Sequence, residues 1–110
     1  MIPTNTPLYA TPCIGATITH VQVFPTHIRY ERMFGQDIFV AVDTVASVEK
    51  RGHKYGFVIL STTSRRRIIC MVGKNHVNAL YRAICAARRL SVIRSGQHAL
   101  ELPADQTLAG

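Results

Sequence analysis

The chain has 110 residues, which is enough for one domain with a single core and too few for two. Its composition, 47% hydrophobic and 17% charged, is typical of a globular protein and excludes an intrinsically disordered one. Its 13 Lys and Arg against 6 Asp and Glu give a net charge of +7, which favours contact with phosphates, anionic lipids or acidic protein surfaces. A solvated basic surface without a partner is the simpler interpretation of the same charge.

The cysteines and the lengths of the apolar runs indicate the cellular compartment of the protein. Cys13, Cys70 and Cys85 form no Cys-x-x-Cys pair, and Cys70 and Cys85 lie in apolar segments that are typical of buried thiols. No run approaches the roughly 18–20 apolar residues of a membrane span. The first residues carry no basic region of a signal peptide. We therefore expect a reduced, cytoplasmic protein with no disulfide framework and no transmembrane segment.

The predicted elements begin with an N-terminal arm over residues 1–15, which is rich in proline and has no charged residue. Because proline removes backbone donors, we expect this arm to be extended or loosely ordered. Alternating and β-branched runs then predict a series of strands. In chain order these strands cover residues 16–24, 27–33, 37–42, 45–50, 55–61 and 67–72. A tight turn at Phe34-Gly35-Gln36 joins the second to the third, and the last two form the clearest hairpin.

An amphipathic helix is predicted at about residues 75–90, with Asn75 as its N-cap. Four apolar residues follow the i, i+3, i+4, i+7 spacing and should pack on the sheet as a structural element. This helix stripe consists of Val77, Leu80, Tyr81 and Ile84.

After Leu90 the helical pattern weakens. Residues 91–94 and 98–102 are predicted as short edge strands, and residues 103–110 as a tail. The expected organisation is thus an arm at 1–15, a domain at 16–90 and a C-terminal extension at 91–110.

Residues 23–87 resemble the bacterial pleckstrin-homology-like (PH-like) domains. The run VFPTHIRYERMFGQDIFVAVDTVASVEKR is similar to the family's strand, hairpin at an FG turn, and I-x-S-V strand, here Val45-Ala46-Ser47-Val48. The run FVILSTTSRRRIICMVGKNHVNALYRAI is similar to its last hairpin and closing helix. The resemblance implies a mainly β fold, a bent antiparallel sheet or partly open barrel of about seven strands capped by the C-terminal helix. It also implies binding of lipid head groups, peptides or other copies of the domain.

Two basic turns are the candidate binding residues. The first basic turn is Lys50, Arg51, His53 and Lys54, and the second basic turn is Arg65, Arg66 and Arg67. One strand separates them by roughly 20 Å, so we expect two separate sites, each able to hold a phosphate. The Phe34-Gly35-Gln36 loop carries no basic residue, which disfavours the phosphoinositide site of eukaryotic relatives.

The sequence contains no recognisable motif for catalysis, metal binding or cofactor binding. The five histidines lack ligand spacing, and no G-x-S-x-G, P-loop or G-x-G-x-x-G occurs. Cys70 lies between apolar neighbours, which favours a structural thiol over a nucleophile. We expect no enzyme activity, no metal and no cofactor.

The predicted function is a binding or assembly module. Residues 1–28 contain no Asp, Glu, Lys or Arg, so we expect this region to be buried in its own sheet or against another copy. Protein partners, including further copies, would then meet strand edges, and acidic surfaces or anionic lipid would meet the basic turns. A basic nucleic-acid-binding accessory protein is the alternative, for which Tyr30 between Arg29 and Arg32 is the one aromatic and basic cluster.

Overall fold

The computed structural model describes residues 6–15, 17–52 and 56–101, with side chains as far as Arg94. Within these ranges the chain forms seven strands and then one long helix. The strands are β1 (Tyr9–Pro12), β2 (Ile18–Val23), β3 (His27–Arg32), β4 (Ile38–Ala41), β5 (Val45–Arg51), β6 (Gly56–Thr62) and β7 (Arg67–Val72). The helix is α1 (Val77–Glu101), and short 3-10 turns at Val42–Thr44 and Lys74–His76 precede β5 and α1.

The strands form two antiparallel sheets that are not closed into a barrel. One sheet has the order β1-β2-β3-β4 and the other the order β5-β6-β7. The backbone N–H of Ile14 donates to the carbonyl of Met71 at 2.8 Å, which joins the end of β1 to β7 and thus one sheet to the other. The expected mainly β fold with a C-terminal helix over the sheets is confirmed, and so is the β6–β7 hairpin.

The turn between β3 and β4 needs a residue that tolerates a positive φ. Gly35 has φ +86° there, a conformation that costs glycine little because it has no Cβ. The Arg29 guanidinium on β3 donates to the Asp37 carboxylate at 2.7 and 3.0 Å. This pair of side chains connects β3 to the end of the turn in the same hairpin. The tight turn predicted at Phe34-Gly35-Gln36 is therefore confirmed.

The core lies between the inner faces of the sheets and α1. Alternation in β2 and β3 buries Val21, Val23, Ile28 and Tyr30, as a strand period of two requires. The uncharged N-terminal region belongs to this core, because β1 pairs with β2 and Thr11 is buried with it. In its described part this region is therefore only partly buried in its own sheet, since Ile14 is 50% exposed and Ala10, Pro12, Thr17 and His20 are exposed as well. Residues 1–5 and 16 lie outside the described residues.

The helix stripe divides into two pairs. Leu80 and Ile84 are fully buried in the core, whereas Val77 and Tyr81 are half-buried at its margin. Ala87 continues the buried face by one turn. The apolar spacing therefore identified the face of α1 that packs on the sheets.

Both predicted limits of the helix were wrong. Asn75 is not an N-cap, because it lies inside the 3-10 turn, where the His76 N–H donates to the Gly73 carbonyl at 2.8 Å. The edge strands predicted at 91–94 and 98–102 are not present in the described residues, because α1 continues through Glu101. Arg94 donates from Nη2 to the Pro25 carbonyl at 3.0 Å and attaches this part of the helix to the β2–β3 turn. The predicted tail at 103–110 lies outside the described residues.

None of the described helices combines the length and the apolar character that crossing a membrane requires.

Candidate anion-binding site

The two basic turns lie at opposite ends of β6. Lys50 and Arg51 end β5 beside the start of β6, with Lys50 opposite Val58 in the ladder. Arg65, Arg66 and Arg67 follow the other end of β6 and are exposed. His53 and Lys54 of the first turn lie outside the described residues. The two turns therefore do not share one pocket.

At the first turn, three cationic side chains line one cavity of about 340 Å³. Lys50 and Arg51 come from the end of β5, and Lys74 comes from the 3-10 turn before α1. Gly52, Gly56, Val77 and Asn78 complete the lining, and none of these described residues is acidic. We call this the basic cavity.

Lys74 is the one of these three cations that the sequence patterns did not predict. Its position in the chain is more than twenty residues from Lys50, so only the packing of α1 against β5 brings the two together. The available signal was a basic residue at the junction of a predicted strand and a predicted helix. A positive side chain at that end adds to the positive end of the helix dipole.

Lys50 is held across the gap between β5 and α1. Its Nζ donates to Oδ1 of Asn78 at 2.9 Å and lies 5.1 Å from the ring centroid of Tyr81. A cation near an aromatic face is stabilised by the ring quadrupole. The half-buried Tyr81 of the helix stripe thus helps to place a charge at the basic cavity.

Arg51 has an acidic neighbour on its own strand. Its Nη2 lies 2.9 Å from Oε2 of Glu49, and both side chains are about half exposed or more, at 64% and 49%. Exposed pairs of this kind are screened by solvent and easily exchanged. The guanidinium is therefore available to a stronger anion in the cavity.

The floor of the basic cavity has no space for a side chain at Gly56. A Cβ built there would overlap Cγ2 of Val77 and lie 3.1 Å from its Cβ. The start of β6 can thus approach the start of α1 closely only as glycine.

The second basic turn has a different local structure. Arg65 has φ +67°, and Thr62 holds the turn through N–H donation to the Arg66 carbonyl at 2.9 Å. Arg66 lines a separate cavity of about 310 Å³ with residues of β4 and the β6–β7 turn. Arg65 and Arg67 do not line it. The second basic turn therefore exposes three arginines that do not line a common cavity.

The cluster around Tyr30 does not form a stacking platform. Tyr30 is buried in the core, and this burial raises the pKa of its hydroxyl well above the usual range. Arg29 bonds to Asp37, which raises the pKa of its guanidinium. The aromatic and basic cluster that favoured RNA binding in the sequence thus has a structural role in the fold.

A larger apolar groove of about 540 Å³ lies along α1. Its lining residues are Cys85, Arg88, Arg89, Val92 and Ile93. All of them belong to α1, so this is an open helix face and not an enclosed cleft. Among the described residues, His, Cys, Asp and Glu do not gather in groups of three or more that could hold a metal ion.

Comparison with known proteins assigns no family. No family model matches the chain, and no curated protein matches it. A proposal for its function therefore depends on the geometry of the basic cavity.

Proposed function

We propose that the protein is a non-enzymatic, cytoplasmic binding module with a PH-like fold, and that it engages acidic partner surfaces by holding one anionic group in the basic cavity. The observation that carries this proposal is the meeting of Lys50, Arg51 and Lys74 around one cavity, none of whose described lining residues is acidic. Four plus three antiparallel strands followed by a helix support the PH-like assignment.

The size of the cavity favours a small anionic group. Ligand sites for drug-sized molecules have volumes of roughly 300–1,000 Å³, and the basic cavity is at the lower end of that range. A phosphate or carboxylate held there accepts charge-assisted hydrogen bonds, each contributing about 1.5–3 kcal/mol. The N-terminal end of α1 adds a further positive potential.

A protein partner with an acidic strand fits the site better than an isolated ion. β5 is an outer strand of the three-stranded sheet and carries both Lys50 and Arg51. A partner strand that paired with β5 would place its side chains beside the basic cavity. A further copy of the chain could pair with this edge in the same way. Light scattering distinguishes self-association from binding of another protein, because only self-association makes the molar mass of the pure protein rise with its concentration.

Calorimetric titration with inorganic pyrophosphate tests the proposal. The double variant Lys50→Gln, Lys74→Gln should bind at least about tenfold more weakly than the unmodified protein, because two of the three cations are lost. The matched control is Arg66→Gln, Arg67→Gln, which removes the same charge at the other end of β6 and should leave the affinity almost unchanged. Equal losses in both variants, or no binding by the unmodified protein at near-physiological salt, would refute the proposal.

Nucleic-acid binding is the second candidate, and the exposure of Arg65, Arg66 and Arg67 at one turn favours it. Retention on a DNA column that falls steeply with salt and is lost in Arg66→Gln, Arg67→Gln supports it. Retention that is unchanged by this pair of substitutions excludes a role for the second basic turn.

A further inference from the structure

Two cysteines that are far apart in the sequence meet where the two sheets approach each other. The Sγ atoms of Cys13 and Cys70 lie 2.8 Å apart, although 57 positions separate the residues. Cys13 follows β1 and is half-buried, whereas Cys70 lies in β7 and is 1% exposed. Both are free thiols in the structure.

Backbone hydrogen bonds hold this pair in place. The Cys13 N–H donates to the Thr19 carbonyl at 2.8 Å, and the next N–H, that of Ile14, donates to the carbonyl of Met71 at 2.8 Å. Cys70 is fixed in the ladder opposite Val58. These bonds fix the main chain on both sides of the contact between the sulfurs.

We propose that Cys13 and Cys70 are a redox pair, which a disulfide oxidant converts into an intrachain disulfide that ties the end of β1 to β7. The disulfide would join the four-stranded sheet to the three-stranded sheet covalently. It would add to the backbone hydrogen bond from Ile14 to Met71 at the same point.

The geometry requires little movement. A disulfide has an S–S distance of about 2.05 Å, so the two sulfurs must approach by less than about 1 Å. The neighbouring backbone bond between Ile14 and Met71 already fixes the two segments side by side. Cys85 is on α1, where it lines the helix groove with Arg88 and Arg89, and has no such partner among the described residues.

The two thiols differ in a way that gives them different roles in the reaction. Hydrogen bonding between the thiols lowers the pKa of Cys13, against a smaller opposing effect of burial. The same bond, together with burial, raises the pKa of Cys70. Cys13 is also the more exposed of the two, so it is the thiol that reaches an oxidant first.

The oxidant in this reaction is a low-molecular-weight disulfide such as oxidised glutathione. The Cys13 thiolate attacks one of its sulfurs, forming a mixed disulfide and releasing one small thiol. Cys70 then loses its proton and attacks the Cys13 sulfur, which releases the second small thiol. The two protein thiols lose two electrons, the small disulfide gains them, and the two cysteine protons end on the released thiols.

Closing a loop of this length restricts the unfolded chain. The cross-link should raise the midpoint of thermal unfolding by on the order of 10 °C over the reduced protein. Both forms should bind pyrophosphate equally, because neither Cys13 nor Cys70 lines the basic cavity.

Thiol counting on the full chain tests the proposal. After treatment with oxidised glutathione and denaturation, the protein should retain one free thiol of its three, and the peptide that contains it should be that of Cys85. Cys85→Ser should still form the cross-link and lose both remaining thiols. Cys13→Ser and Cys70→Ser should each prevent the cross-link. If Cys70→Ser fails to fold because Cys70 is buried, Cys13→Ser alone provides this test.

The competing outcomes are distinct. Three free thiols after oxidation, a stable mixed disulfide at Cys13, or cross-linked dimers through Cys85 alone would each overturn the proposal. A cross-link confirmed by mass spectrometry together with the higher unfolding midpoint would establish it.

Discussion

At the scale of single residues, Gly56 is the position where the fold has no space for a side chain. Gly56→Ala places a methyl group into Val77 and should lower the free energy of unfolding by about 1–3 kcal/mol. Urea denaturation measures this loss. It should appear as a lower midpoint with an unchanged dependence on denaturant concentration.

The partner of this contact supplies the control. Val77→Ala removes the methyl groups that the new side chain would overlap, so Gly56→Ala should cost less in that background than in the unmodified protein. An equal cost in both backgrounds would show that the contact between β6 and α1 is not what requires glycine.

The Arg29–Asp37 pair gives the fold a dependence on pH. The hydrogen bond from Arg29 lowers the pKa of the Asp37 carboxyl below its ordinary value of 3.8. A lowered folded-state pKa stabilises the fold above the unfolded value, and this contribution is lost as pH falls through the folded pKa, below about pH 4. Asp37→Asn should therefore unfold more easily at neutral pH, with a difference that shrinks in acid.

The measurement is the thermal midpoint of both proteins at neutral pH and at about pH 2–3. Asp43→Asn is the matched control, because Asp43 is exposed and makes no ion pair among the described residues. A difference for Asp37→Asn that stays constant over the whole range would contradict the role of the carboxylate charge.

At the scale of elements, α1 shows what apolar spacing can and cannot predict. Leu80 and Ile84 were identified because burial against the sheets is what selects the helical spacing. After Leu90, Val92 and Ile93 have no such burial, since they are 71% and 54% exposed. The apolar residues at these exposed positions do not follow the spacing of a buried face, and this part of α1 was therefore mistaken for a strand.

A proline in this part of α1 tests its helical state. Val92→Pro removes the hydrogen bond to the carbonyl four residues earlier and should abolish part of the helical circular dichroism signal. The thermal midpoint should fall only modestly, because the buried face at Leu80, Ile84 and Ala87 precedes the substitution. Val92→Ala is the control and should keep the full signal. An unchanged signal in Val92→Pro would contradict a helix that extends to Glu101.

At the scale of the whole molecule, the order of elements was predictable and their assembly was not. Alternating and β-branched runs identified six of the strands. β1 was missed as a strand because it is short and lies among prolines. The division into two sheets, the approach of Lys74 to Lys50, and the contact of Cys13 with Cys70 all depend on pairing between distant segments, which local patterns do not contain.

We propose that the three cations of the basic cavity act as one anion site. Two-dimensional amide NMR during titration with inorganic pyrophosphate is the decisive test of this site, because each backbone amide signal reports the environment of its own residue. We expect saturable shifts at Lys50, Arg51 and residues 74–78. The variant Lys50→Gln, Lys74→Gln should remove these shifts, and the variant Arg66→Gln, Arg67→Gln should keep them. Shifts of equal size at residues 65–67, or shifts that do not saturate, would contradict a formed site and would leave a basic surface without selectivity.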